Sequence, residues 1–137
     1  MENRIIRTIP VILSQGGEIM TDADIRQIFN GAADFEARTL RFGAQTLYAY
    51  FIDGLVTGSF ISEYIIRPII CGLPEDVHQA YEAAMHGGVY NCVARQCKDL
   101  QDVAVKIVNG FCVVLFPGVG AIAFEVRTGV SRSPNPP

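Results

Sequence analysis

Tryptophan is absent, and histidine occurs only twice, at His78 and His86. The two stand eight apart, not at the four-residue spacing that sets both on one helical face around a metal, as in H-E-x-x-H. Charge is also scarce. Asp, Glu, Lys and Arg make up 18% of the chain, and 11 cations against 14 anions leave a formal net charge of −3. The cations are scattered, with no basic run and no RNA-binding motif, which argues against a nucleic-acid partner. The four cysteines, Cys71, Cys92, Cys97 and Cys112, contain no C-x-x-C pair and no second cluster that would complete a zinc site. They read as reduced structural thiols, with Cys112 a small hydrophobe in an apolar strand pattern. That usage favours the cytosolic side of a membrane over the exported one.

Long unbroken apolar runs are missing too. Residues 9–13 are apolar but interrupted by Pro10 and shorter than the ~7–15 residue core of a signal peptide. Residues 107–124 carry no charge, yet Asn109-Gly110 and Pro117-Gly118-Val119-Gly120 divide them. A membrane span needs about 20 mostly apolar residues. Two core strands around a tight turn fit this stretch better, and no transmembrane segment is expected here.

What remains is a chain of 137 residues, 50% hydrophobic. That length suits one domain able to bury about 65–70% of its unfolded surface without covalent staples. Its organising stretch is residues 47–56. An uncharged, aromatic-rich run ending at Ile52 suits a strand buried on both faces. Asp53-Gly54 then stops it, Asp by bonding backbone just ahead and Gly by accepting positive φ.

In chain order, residues 1–17 read as a loosely held arm, residues 18–130 as the folded domain, and residues 131–137, rich in proline, as a linker or tail. Thr21 caps a first helix, with Asp22 and Asp24 in its first turn and Met20 and Ile25 as a hydrophobic staple. Ile25, Ile28 and Phe29 form its apolar face, and Asn30-Gly31 stops it. Residues 34–42 make a strand that turns back at Gly43-Ala44-Gln45 into the central one. Ser59 caps a second helix, with Phe60, Ile61 and Ile65 inward and Glu63–Arg67 an i,i+4 pair. Pro68 ends it. Pro74, Glu75 and Asp76 open a third helix with Val77, Ala80, Tyr81 and Ala84 on its inner face, closing at His86 before Gly87-Gly88. Residues 89–93 are a brief strand. Asp99 caps a fourth helix with Leu100, Val103, Ala104, Ile107 and Val108 inside, ended by Asn109-Gly110. Residues 111–116 and 121–127 make a closing hairpin. The order αββααβαββ implies an α/β fold, a single layered domain with a mixed β-sheet packed by about four helices.

No constellation in the chain demands catalysis, a cofactor or a metal. His86 near Cys92 imitates a Cys–His pair, but no orienting acid or oxyanion motif accompanies it. A thiol enzyme using Cys92 or Cys97 is therefore the remote reading. Pro117-Gly118-Val119-Gly120 lacks the Lys and the following helix of a phosphate loop and reads as a hairpin turn. Asp53 is the acid that stands out. It is either a turn residue bonding its own backbone or half of a ligand or partner contact with Arg67.

At Ile52-Asp53-Gly54-Leu55-Val56, followed by Ile65-Ile66-Arg67-Pro68, the chain resembles the soluble N-terminal region of the GerA family, the A subunits of spore germinant receptors. Members typically carry a Y-I-D-G-L-V strand end and then a helix ending in R-P-L. Ile28-Phe29-Asn30-Gly31 and Val108-Asn109-Gly110 match as well, and Gly129-Val130-Ser131-Arg132-Ser133-Pro134 is similar to the R-S-x-x-E-P segment closing the family's first soluble subdomain. The likeness covers about residues 24 to 134. It implies spore germination and no enzymatic activity. The implied role is signal relay within a receptor that contains B and C subunits and the membrane domain of the full-length chain. Asp53, Gly54, Arg67, Pro68 and Arg132 are the motif residues it singles out for interaction. It also implies a place at the cytoplasmic face of the spore inner membrane. Binding of a small nutrient germinant is the alternative, and self-association stays open.

Overall fold

The computed structural model describes residues 20–90 and 92–126. The expected arm, the proline-rich tail and Arg132 lie outside them. Helix α1 (Asp22–Ile28) leads into the hairpin β1 (Phe35–Phe42) and β2 (Gln45–Ile52). Helix α2 follows in three continuous segments, Gly58–Ile61, a π turn at Ser62–Ile66, and Arg67–Gly72. Helix α3 (Val77–Ala83) runs into a second π-type turn at Ala84–Gly88, where His86 and Gly87 leave helical backbone. Strand β3 (Cys92–Cys97), helix α4 (Leu100–Val108) and the hairpin β4 (Cys112–Phe116) and β5 (Gly120–Val126) complete the chain. The order αββααβαββ holds, as does the α/β class.

The five strands lie in the order β1-β2-β4-β5-β3, and each neighbouring pair is antiparallel. This corrects the expectation of a mixed sheet. The crossover through α4 does join two strands of the same direction, β3 and β4. The β4–β5 hairpin folds back so that β5 sits between them, and no parallel ladder forms.

Alternation along the strands splits the core in two, since successive side chains point to opposite faces. Leu47, Ala49 and Phe51 of β2 join Cys112, Val114 and Phe116 of β4 under Ile61, Ile65 and Ile69 of α2 and Ala80 and Tyr81 of α3. Tyr50 and Ile52, with Val113 and Leu115, face Ile25 and Phe29 of α1 and Leu100, Val103 and Ile107 of α4. Three layers result, with a sheet between two helix pairs. The uncharged central run fits because from Ala49 to Ile52 both faces of β2 are covered.

Inner helix positions recur every three or four residues, and residues one step off the stripe point outward. Ile28, Phe60 and Val108, expected inside, are 43%, 40% and 55% exposed for that reason. Each stands one step from the buried Phe29, Ile61 or Ile107. Phe60 instead sets its ring edge-on to Tyr64, centroids 5.8 Å apart.

Caps fix the helix starts. Thr21 Oγ1 accepts from Asp24 N at 3.1 Å while Asp24 Oδ2 accepts from Thr21 N at 3.1 Å, a reciprocal capping box. Asp76 and Asp99 cap α3 and α4. For α2 the cap is Thr57, not Ser59, because Thr57 is the residue in extended backbone, and its Oγ1 accepts from Phe60 N at 3.4 Å. The expected stop at Pro68 also fails. Proline lacks the N–H that continues an α-helix and clashes with the turn before it. The π turn widens the backbone ahead of it, with Arg67 N donating to Ser62 O five residues back, and the helix continues to Gly72. The third strand starts at Cys92 rather than at Val89, which is buried under the helices.

Candidate functional site

Register places every connection at one of two ends of the sheet. Phe35 pairs with Ile52, Cys112 with Phe124 and Cys92 with Val126, so β1, β3 and β4 begin where β2 and β5 finish. At that end lie Asn30-Gly31, Asp53-Gly54-Leu55 and Asn109-Gly110, all carried on turns that need glycine. Gly31, Gly54 and Gly110 have φ of 91, 105 and 94°, a region without steric cost only for glycine.

The Asp53-Gly54 turn is built from backbone. Ile52 O accepts from Leu55 N at 3.1 Å and Val56 N at 3.3 Å, and Asp53 N donates to Asp34 O at 2.8 Å. The Asp53 side chain is exposed, and it is Ile52 O that closes the turn expected of it. The α4 end is a Schellman motif, with Phe111 N donating to Lys106 O at 3.0 Å and Gly110 N to Ile107 O at 3.1 Å. The two turns touch, since a Cβ on Gly110 would sit 3.9 Å from Leu55 Cβ.

The exposed apolar side chains gather here. Of the seven large ones among the described residues, Ile28, Leu55, Phe60, Tyr90 and Val108 all flank this end, with Leu55 55% and Tyr90 79% exposed. Scattered single apolar residues are ordinary on a surface, whereas a concentration at one place marks a contact site.

Arg67 is not part of it. It lies beyond the π turn and pairs with Glu63 at 3.4 Å, both side chains well exposed, a contact worth little. No ion pair joins Asp53 to Arg67 among the described residues. Pro68 acts on helix geometry. Its missing N–H leaves Tyr64 O without the usual α-helical donor, and the Cys92 thiol lies 3.7 Å from that carbonyl and donates to it.

Arg38 is the residue that sequence reasoning passed over. It reaches from β1 across Phe51, 5.1 Å from the ring centroid, and donates through Nη1 to Ser62 Oγ at 2.8 Å. A Cβ on Gly58 would fall 2.6 Å from its Nη2. Gly58 therefore admits the guanidinium that ties α2 to the edge strand. Its only signal in the sequence was a basic residue inside a strand of mixed polarity.

Two of the four thiols, Cys97 and Cys112, are poor nucleophiles. Burial pushes Cys97 up to about 12 and raises Cys112 as well, so both remain protonated near neutral pH. His86 turns back on its own helix, with Nδ1 2.8 Å from Glu82 O. No group of three or more His, Cys, Asp or Glu among the described residues could hold a metal. None of the described helices is long and apolar enough to cross a membrane.

The start of α1 is tied to the sheet. Tyr50 Oη donates to Asp22 Oδ1 at 2.6 Å, and Asp22 also pairs with Arg26 at 2.8 Å. Burial and the Asp22 carboxylate raise the Tyr50 phenol far above its ordinary range. Beside this tie runs an open, mostly apolar groove of about 500 Å³, lined by Met20, Tyr48, Leu115 and Pro117 among others. Neither Asp53 nor Arg67 lines it.

The model of the Bacillus/Clostridium GerA spore germination protein family matches residues 23–137. No curated protein matches the chain by sequence. Among solved structures, the N-terminal domain of the A subunit of the Bacillus megaterium spore germinant receptor GerK3 aligns with a TM-score of 0.61 at 14% identity. The alignment covers 77% of this chain and 44% of that one, so the chain spans under half of that domain's length.

Proposed function

The chain belongs to the GerA family of spore germination proteins, and from that membership we propose that it is a non-enzymatic interaction and signal-relay domain of a germinant receptor A subunit. One observation carries this reading. The turns holding Asn30-Gly31, Asp53-Gly54-Leu55 and Asn109-Gly110 meet at a single end of the sheet, among the domain's exposed apolar side chains. A surface of that kind binds protein, and burial keeps the Cys97 and Cys112 thiols protonated. We take its partners to be the B and C subunits and the rest of its own chain, at the cytoplasmic face of the spore inner membrane. Asp53 and Gly54 shape this surface, and Arg67 and Pro68 serve the helix behind it.

The test is a Leu55→Asp receptor in spores. The domain stays folded, and the receptor fails to assemble or to trigger germination. Normal assembly and germination contradict the proposal.

A second reading, binding of a nutrient germinant, draws on the groove beside Tyr48 and Met20, whose volume falls in the range of small-molecule sites. Thermal-shift titration with amino acids, sugars and nucleosides separates the two. The relay reading expects no shift at millimolar ligand, and a saturable rise in Tm favours the groove.

A further inference from the structure

We propose that the groove between the start of α1 and the β4–β5 turn is closed by the chain's own N-terminal segment, whose apolar run Ile9-Pro10-Val11-Ile12-Leu13 folds back onto it. The contact lies apart from the surface at the Asp53 turn, and the inference goes beyond the relay reading without resting on it. Three observations point to it.

The first is position. Met20 and Ala23 share the lining of the groove with Tyr48, Leu115 and Pro117. Met20 is the residue at which the described fold begins, so the segment before it leaves from the groove's own wall.

The second is chemistry. The polar side chains of the lining are already committed. Asp22 accepts from Tyr50 Oη at 2.6 Å and pairs with Arg26 at 2.8 Å, and Thr21 Oγ1 accepts from Asp24 N at 3.1 Å. A site for a small polar molecule needs convergent polar groups to orient it, whereas these walls offer mainly apolar surface. An uncharged aliphatic run matches them. Pro10 adds a fixed φ that lowers the cost of ordering the run, and proline-containing extended segments suit grooves with an aromatic wall such as Tyr48.

The third is reach. Six residues, 14–19, separate Leu13 from Met20. Extended at 3.3–3.6 Å each they span about 20 Å, and Gly16-Gly17 supplies the freedom to reverse direction. So short a tether holds the run at a high effective concentration over the groove. The run and its tether precede residue 23, where the match to the family model begins. Docked, the run occludes the groove, and a small molecule reaches Tyr48 only by displacing it.

Nuclear Overhauser contacts in the isotopically labelled 137-residue chain test this. Methyl protons of Val11, Ile12 and Leu13 show contacts to the Tyr48 ring and the Met20 methyl group. Ala23→Glu fills the groove with an acid that suits the first turn of α1, and these contacts are lost. Ile12→Asp, which alters none of the described residues, abolishes them as well. In both variants the contact between Phe29 and Phe35, whose rings stack at 4.5 Å, persists and reports an intact fold.

Absence of any contact between residues 9–13 and the groove overturns the proposal, as do contacts that survive Ala23→Glu. In a mixture of labelled and unlabelled chains, contacts found only between copies also overturn it and give the groove to a second copy. None of these outcomes touches the relay reading, which germination by Leu55→Asp spores decides.

Discussion

At one end of the sheet the connections are Gly43-Ala44, residues 73–76, Lys98-Asp99 and residues 117–119; at the other they are Asn30-Gly31, residues 53–57, Val89-Tyr90 and Asn109-Gly110. The first set is short or polar, and the nearest helix start is locked by Thr21, Asp24 and the Tyr50–Asp22 bond. The second is equally well hydrogen-bonded along its backbone but carries Leu55, Tyr90 and Val108 outward. Both ends rest on the same two core layers. What differs is where most of the exposed apolar side chains lie: Ile70 is 42% exposed toward the first end, whereas Ile28, Leu55, Phe60, Tyr90 and Val108 flank the second.

The most damaging change breaks both ends together. Phe51 is 1% exposed and touches the helices of its face. Phe51→Ala costs about 3–5 kcal/mol, and chemical denaturation shows a lower midpoint with the loss shared across the domain.

Tyr50→Phe acts on the start of α1. It removes a buried hydroxyl donating to a charged acceptor, and about 1–2 kcal/mol of stability goes with it. Exchange then quickens around residues 20–24 ahead of residues 53–56. Gly58→Val is its counterpart at the open end. The new side chain displaces the Arg38 guanidinium from Ser62, for about 1 kcal/mol, and the start of α2 loosens first. If the two variants soften the same residues, the ends are not separable.

Leu55→Asp is smallest in stability. The side chain is more than half exposed, so the change stays within about 0.5 kcal/mol and the effect falls on association.

Much of this was legible in the sequence. Thr21, Asp76 and Asp99 announced their helices because a cap needs only the residue and the few after it. The α4 stripe and the uncharged β2 run gave the core, since burial writes periodicity into the chain. Local chemistry misled where a longer-range arrangement decided. Pro68 is a helix breaker by itself, and only the π turn ahead of it lets α2 continue. The mixed sheet was read from the element order, while the insertion of β5 between β3 and β4 is a pairing that no single segment encodes. Strand β3 hid behind Arg95 and Gln96, which suit an edge position. Asp53 drew notice as a charge and matters through its backbone, and the Arg38–Gly58 fit spans 20 residues and left no pattern.

The comparison of the two ends comes down to one paired measurement, Tm and germination recorded together for Leu55→Asp and Tyr50→Phe in the complete receptor. The account predicts that Leu55→Asp keeps its Tm within about 3 °C and loses germination, while Tyr50→Phe melts lower and still germinates. Germination that simply follows Tm in both variants would contradict it.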